Sequence, residues 1–165
     1  MFKKYLKNQN GLTLVELLAV IVILGIIAAI AVPSIGGIID NSKKDAHIAN
    51  AQQMVSGAKI AVSANSDLLP AKDSGVRYIP LEYLIDSGYL DAFSDPDGGD
   101  YSKGTTKLSD DDVIALKAAP TTSYVLITKK ASIYEYSVYL LGENRHIGPE
   151  LIGDIDRSKV TDNTP

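Results

Sequence analysis

Residues 7–33 read KNQNGLTLVELLAVIVILGIIAAIAVP, a long apolar run entered from a basic, polar head. Leu12 to Val32 is a run of 21 residues with a single charge, Glu16. At 1.5 Å per residue, a helix of that length spans about 31 Å, close to the thickness of a hydrocarbon core. Many of the residues are β-branched, yet in lipid the backbone must satisfy its own hydrogen bonds, so a helix is expected. A carboxylate in such a segment costs several kcal/mol, on the order of 3, unless it finds a partner. Glu16 therefore needs an explanation.

The charge around the run is asymmetric. Residues 1–11 hold Lys3, Lys4 and Lys7 and no acid, and the total of −4 less this +3 leaves −7 on the remainder. A basic head before an apolar run keeps the N-terminus on the cytoplasmic side. The pI of about 5.1 argues against a general nucleic-acid binder. With no cysteine in 165 residues, disulfides and thiolate metal sites are excluded.

Three readings fit a basic head and an apolar run. A secretory signal peptide would use Ala29-Ile30-Ala31 as its A-x-A site, but the run is long for an h-region and Glu16 has no use there. A plain signal anchor would let Glu16 snorkel from one turn inside the run. The third reading accounts for Gly11, Glu16 and Pro33 together. The stretch Gly11-Leu12-Thr13-Leu14-Val15-Glu16-Leu17-Leu18 resembles the prepilin signature of type IV pilins and their pseudopilin relatives. That resemblance implies cleavage between Gly11 and Leu12 by a membrane peptidase and N-methylation at Leu12. It also implies a filament core built from the retained helix, with Pro33 as a helix-kinking proline. Leu12 stands where the family usually has phenylalanine. The resemblance further implies that Glu16 is a subunit-assembly residue, paired with the new N-terminal amine of a neighbouring copy. Such an acid would penalise a lone subunit and favour a docked one.

After Pro33 an amphipathic stripe follows, with Ile48, Ala51, Val55, Ala58 and Val62 on one face and Lys44, Gln52, Gln53 and Lys59 on the other. Asn65-Ser66-Asp67 and Pro70 end the helix, and Ala71 to Tyr78 reads as a polar loop. Pro80 to Gly88 reads as a short helix with Leu81, Leu84 and Ile85 on one face and Gly88 as its C-terminal cap. Its end, Leu84 to Leu90 (LIDSGYL), is similar to a phrase common in major pseudopilins and many Gram-positive pilins. Ser109 and Asp112 form a capping-box pattern for a second short helix that Pro120 stops. Ser123–Lys130 and Ile133–Leu141 read as a hairpin turning at Ala131-Ser132, and Arg145-His146-Ile147 as a third strand. Residues after it read as a polar tail.

Expected, then, is an α+β roll: a long kinked N-terminal helix on a small antiparallel sheet, which is also the pilin fold. The organisation is a basic leader over 1–11, a transmembrane or filament-core helix over 12–33, its amphipathic second half over 34–64, and a globular head over 65–165.

No P-loop, dinucleotide fingerprint or nucleophile elbow is present, so no enzymatic activity is expected. Asp95, Asp97 and Asp100 offer hard oxygens, and some pseudopilins bind calcium, but the spacing is not that of an EF-hand and turn chemistry explains them equally well. No cofactor is therefore expected, with calcium as the alternative. Asp110-Asp111-Asp112 reads as a helix start. His47 and His146 read as surface or packing residues. Tyr134 and Tyr136 share a strand face with Val138 and Leu140, which reads as core.

The resemblance implies a homo-oligomeric surface filament for adhesion, motility or aggregation. Its partners would be a prepilin peptidase, a membrane assembly platform and minor pilins, with the membrane holding the subunit before assembly. Nucleic acid would be a partner only in DNA uptake. Without the cysteine pair of many Gram-negative pilins, a Gram-positive source is expected. The alternatives are a pseudopilin of a DNA-uptake or type II-like secretion machine, and a membrane-anchored extracellular binding domain.

Overall fold

The computed structural model describes residues 13–163. The predicted cleavage pair Gly11 and Leu12 lies outside the described residues. By packing, the chain divides after Asp40 into two units.

Helix α1 runs over Leu14–Ala64 and continues through Pro33, which removes one donor from the ladder, that for the Ala29 carbonyl. In the first unit no apolar side chain from Leu14 to Ile39 is buried. An 18-residue window there has a mean hydropathy of 3.0, so this helix is long and apolar enough to cross a membrane.

The second unit, from Asn41, holds the rest of α1 and everything after it. Here the helix does bury a face, made by His47, Ala51, Met54, Val55, Gly57, Ala58, Ala61 and Val62. The stripe is wider than Ile48, Ala51, Val55, Ala58 and Val62, and Ile48 lies at its margin, half-buried. At Gly57 the missing Cβ leaves room for Leu90 and the Tyr89 carbonyl, each 3.2 Å from where it would stand.

That sheet has five antiparallel strands in sequential order: β1 (Val76–Pro80), β2 (Tyr124–Lys130), β3 (Ile133–Leu141), β4 (Arg145–Leu151) and β5 (Val160–Asp162). Ile79, Val125, Ile127, Val138, Leu140, Ile147 and Val160 join the helix stripe in one core. This α+β architecture is the expected one.

The hairpin β2–β3 turns at Ala131-Ser132 as read, with Ala131 at a φ of +51° and its N–H donating to Asp73 Oδ1 at 2.6 Å. Helix α2 (Leu81–Asp86) ends at Gly88, whose φ of +74° is the left-handed conformation that a C-terminal cap needs. Helix α3 (Asp110–Ala115) opens on the expected capping box of Ser109 and Asp112.

Two strands escape the sequence reading. β1 begins inside the stretch read as a polar loop, and pairs with β2 through Val76↔Thr128 to Pro80↔Tyr124. β5 lies in the stretch read as a tail, and pairs with β4 through Arg145↔Asp162 to Ile147↔Val160. Both are edge strands, too short to carry a period of their own.

On the sheet face away from the helix, aromatic rings cross four strands: Tyr78 to Tyr124 at 5.4 Å, Tyr124 to Tyr139 at 5.3 Å and Tyr139 to His146 at 6.4 Å. These are cross-strand and diagonal neighbours that support register.

Candidate functional site

Two places gather polar chemistry, one in each unit. The first is the start of α1. Thr13 precedes the helix, and its carbonyl accepts the first intrahelical bond, from Leu17 N at 3.1 Å. Glu16 stands three residues later. Its Oε2 accepts from the Thr13 amide at 2.8 Å and from the Thr13 hydroxyl at 2.7 Å. In return Thr13 Oγ1 accepts from the Glu16 amide at 3.2 Å. This is a reciprocal capping box, which satisfies orphan donors at a helix start. The negative charge also lies at the positive end of the helix dipole.

The acid thus has a local partner that the sequence reading did not assign to it. The signal was present: Thr-x-x-Glu ahead of an apolar run is the same pattern that identifies Ser109 and Asp112. Among the described residues, nothing bonds to Glu16 Oε1. Thr13 and Glu16 are both exposed, as are the apolar residues that follow.

Residues 6–32 match a family model, the prokaryotic N-terminal methylation motif. The chain carries the type IV prepilin signature. The match covers Gly11, Leu12, Thr13 and Glu16 and ends just before Pro33, so it describes the N-terminal segment and not the head. No curated protein and no solved structure matches the chain. The signature lies beside an apolar N-terminal helix long enough to cross a membrane, a combination suited to membrane anchoring.

The second place lies in the second unit. His47, on α1, is only 1% exposed. Its Nε2 lies 3.0 Å from Asp97 Oδ2 and 3.5 Å from Asp95 Oδ1. Its Nδ1 is 2.7 Å from the Tyr101 hydroxyl, which accepts from Asn50 Nδ2 at 3.2 Å. With Asn50 donating to the Tyr101 oxygen, that hydroxyl can give its proton to Nδ1, and Nε2–H then faces Asp97. Burial pushes the Tyr101 hydroxyl well above its ordinary value, so it stays a donor.

The loop from Ser94 to Asp100 folds so that both acids point inward. Asp95 Oδ1 accepts from Asp97 N at 2.8 Å, an Asx turn, and Oδ2 accepts from Glu143 N at 2.8 Å. Gly142 makes this possible: a Cβ there would stand 2.2 Å from Asp95 Oδ2. Two cations reach Asp97, Lys43 Nζ at 3.2 Å and Arg145 Nε at 3.6 Å. Burial alone would raise the Asp97 carboxyl, but the hydrogen bonds from His47 and Lys43 and the charge of Arg145 outweigh it and hold it below its usual value.

His47, Asp95 and Asp97 converge as three metal donors would. The chemistry does not suit calcium, which takes six to eight oxygens. Lys43 and Arg145 both lie against Asp97, with Arg145 Nε also 3.1 Å from Asp162 Oδ1, so cations already stand at the carboxylate a divalent ion would need. Asp100 lies outside the group, paired with Ser94 in a backbone bridge. The cluster is an ion-pair network that ties the loop and β4 to the helix. His47 is a packing residue as read, though with a polar role that sequence alone does not reveal.

Tyr134 departs from the core reading. At 36% exposed it rims a shallow groove of about 320 Å³ with Lys59, Tyr136, Leu151, Ile152 and Asp154. Lys59 Nζ covers the Tyr136 ring at 5.2 Å, and Lys129 Nζ lies 5.8 Å from the Tyr134 ring. The strand's helix-facing side is thus buried at Val138 and Leu140 and open at Tyr134.

Proposed function

We propose that this chain is the structural subunit of a type IV pilus-like surface filament, assembled through its N-terminal helix after the leader is removed between Gly11 and Leu12. The observation that carries the reading is the junction of two features. The methylation motif at residues 6–32 overlaps the start of a helix, Leu14–Ala64, whose apolar side chains from Leu14 to Ile39 are unburied among the described residues. Lipid covers such a surface before assembly, and a bundle of identical helices covers it afterwards. The subunit waits as a single-pass membrane protein with its N-terminus in the cytoplasm, then moves into a filament on the cell surface. A prepilin peptidase, a membrane assembly platform and minor pilins are its partners, and its role is structural rather than catalytic. Adhesion, motility or aggregation is the service of such a filament.

The alternative is a pseudopilin of a DNA-uptake or secretion machine, and the phrase LIDSGYL at residues 84–90, which forms the end of α2 and its Gly88 cap, is shared by both groups and does not separate them. Shear-released surface filaments separate the two readings. A pilus subunit is abundant in them, whereas a pseudopilin of a secretion or uptake machine is nearly absent. Glu16→Ala tests the assembly route: the head keeps its thermal unfolding midpoint while filaments disappear. Filaments at the usual level in that variant would remove Glu16 from the account.

A further inference from the structure

We propose that the groove where β4 leaves β3, between Lys59 of α1 and the turn at Ile152–Asp154, binds one neutral pyranose unit of a glycan. The groove lies wholly in the second unit, so the proposal stands whether or not the chain forms filaments.

The groove has a cause in the sheet. β3 begins at Ile133, but its pairing with β4 reaches only to Ser137↔Leu151. Beyond that pair the chain turns away at Ile152–Asp154, and residues 133–136 of β3 lose their neighbour on that side. Tyr134 and Tyr136 therefore line an open space of about 320 Å³, with Lys59, Leu151, Ile152 and Asp154 around it. That volume is at the small end of ligand pockets.

The polar groups here have no partners of their own. The Lys59 ammonium, the Tyr134 and Tyr136 hydroxyls and the Asp154 carboxylate make no hydrogen bond or ion pair among the described residues. A cationic ligand would meet rings already faced by ammoniums, Lys59 at 5.2 Å from the Tyr136 centroid and Lys129 at 5.8 Å from that of Tyr134. An anion would meet Asp154, with Lys59 alone to balance both charges. A purely apolar molecule would strip water from these polar groups and give no hydrogen bond in return. An extended peptide needs a sheet edge, and the open run at 133–136 falls short of the roughly five or six residues of an ordinary strand. A neutral pyranose meets every requirement. Its hydroxyls both donate and accept, so one ring serves Asp154, Lys59 and the phenols together. Its C–H face lies on Tyr134, which is 36% exposed, and on Leu151.

The test uses the full chain in a polyoxyethylene detergent, which carries no sugar. The probes are the methyl glycosides of glucose, galactose, mannose and N-acetylglucosamine. Saturation-transfer NMR, with irradiation of the protein's aromatic protons, reads contact with the sugar C–H groups. At least one glycoside should bind with a dissociation constant in the low millimolar range, as suits so small a ligand in a shallow groove. Tyr134→Ala should abolish the transfer. Asp154→Asn should weaken binding about tenfold, the factor for one bond to a charged group. Gly153→Phe keeps the test sound if Tyr134→Ala disturbs the fold. Nothing lies within 4 Å of a Cβ at Gly153, so the ring fills the groove without removing a contact. It should block binding and leave the thermal midpoint unchanged. No transfer to any of the glycosides at tens of millimolar overturns the proposal. So does binding that survives Tyr134→Ala or Gly153→Phe, because the sugar then sits elsewhere. Tighter binding of glucuronate or tetramethylammonium overturns the neutral ligand class.

Discussion

Gly142→Ala offers a sharp test of the head's ion network. The backbone at Gly142 takes no unusual φ, so the cost is steric. An added Cβ would meet Asp95 Oδ2 at 2.2 Å and the Arg145 carbonyl oxygen at 3.0 Å. Relief requires the carboxylate to retreat by about 1 Å, since non-bonded atoms rest near 3.5 Å. That movement breaks the bond from Glu143 N to Oδ2, now 2.8 Å, and disturbs the one from Asp97 N to Oδ1, also 2.8 Å. Asp95 is 4% exposed, so water cannot replace the lost donors. One bond lost outright and one weakened, each to a charged group, amount to about 3 kcal/mol. For a head of this size that lowers the thermal midpoint by about 10 °C. The assay is thermal unfolding of the full chain in detergent, followed by near-ultraviolet circular dichroism of the tyrosines. Gly153→Ala is the control, because nothing lies within 4 Å of its added Cβ. On an Asp95→Ala background most of the Gly142→Ala cost should vanish. A midpoint within 2 °C of the parent, or a full cost that persists without the Asp95 carboxylate, would refute the reasoning.

Three further outcomes are expected. Asp97 is held below the ordinary carboxyl value of 3.8, so its stabilising contribution is complete above that pH and is lost as pH falls through its lower folded-state value. Denaturant midpoints of the parent should therefore drop more steeply on acidification than those of Asp97→Asn, and parallel curves would contradict this. Met54→Ala empties a fully buried position in the helix stripe and should cost about 3 kcal/mol in a denaturant titration. Arg157→Ala removes an exposed ion pair with Asp45, whose bonds are 2.6 Å, and should leave the midpoint at high salt unchanged.

Much of this architecture is legible in the sequence because it depends on local patterns. The helix through Ala64, the cap at Gly88, the box at Ser109 and the hairpin at Ala131-Ser132 each follow from residues within a few positions of one another. β1 and β5 are not legible in the same way. VRYIP places Arg77 on the side that β2 fills with Ile127, and VTD is only three residues, so pairing and not periodicity defines both strands. The ion network is hidden for a stronger reason. His47 and Asp97 are 50 positions apart, and Arg145 is farther still, so only the packed sheet brings them together. Gly142 is likewise meaningful only once Asp95 occupies the space beside it. At the N-terminus the reverse holds: Thr13 and Glu16 form a local pattern, three residues apart, that sequence alone contains.

The central claim is that the chain is processed at its prepilin signature and that the retained helix then serves assembly. The intact mass of the protein purified from membranes and from sheared filaments tests it most directly. The account predicts the same mass in both fractions, that of a chain beginning at Leu12, with the methyl group on the new amine. A chain that still begins at Met1 in the filament fraction, or one cut after Ala31 so that the helix is lost, would contradict it.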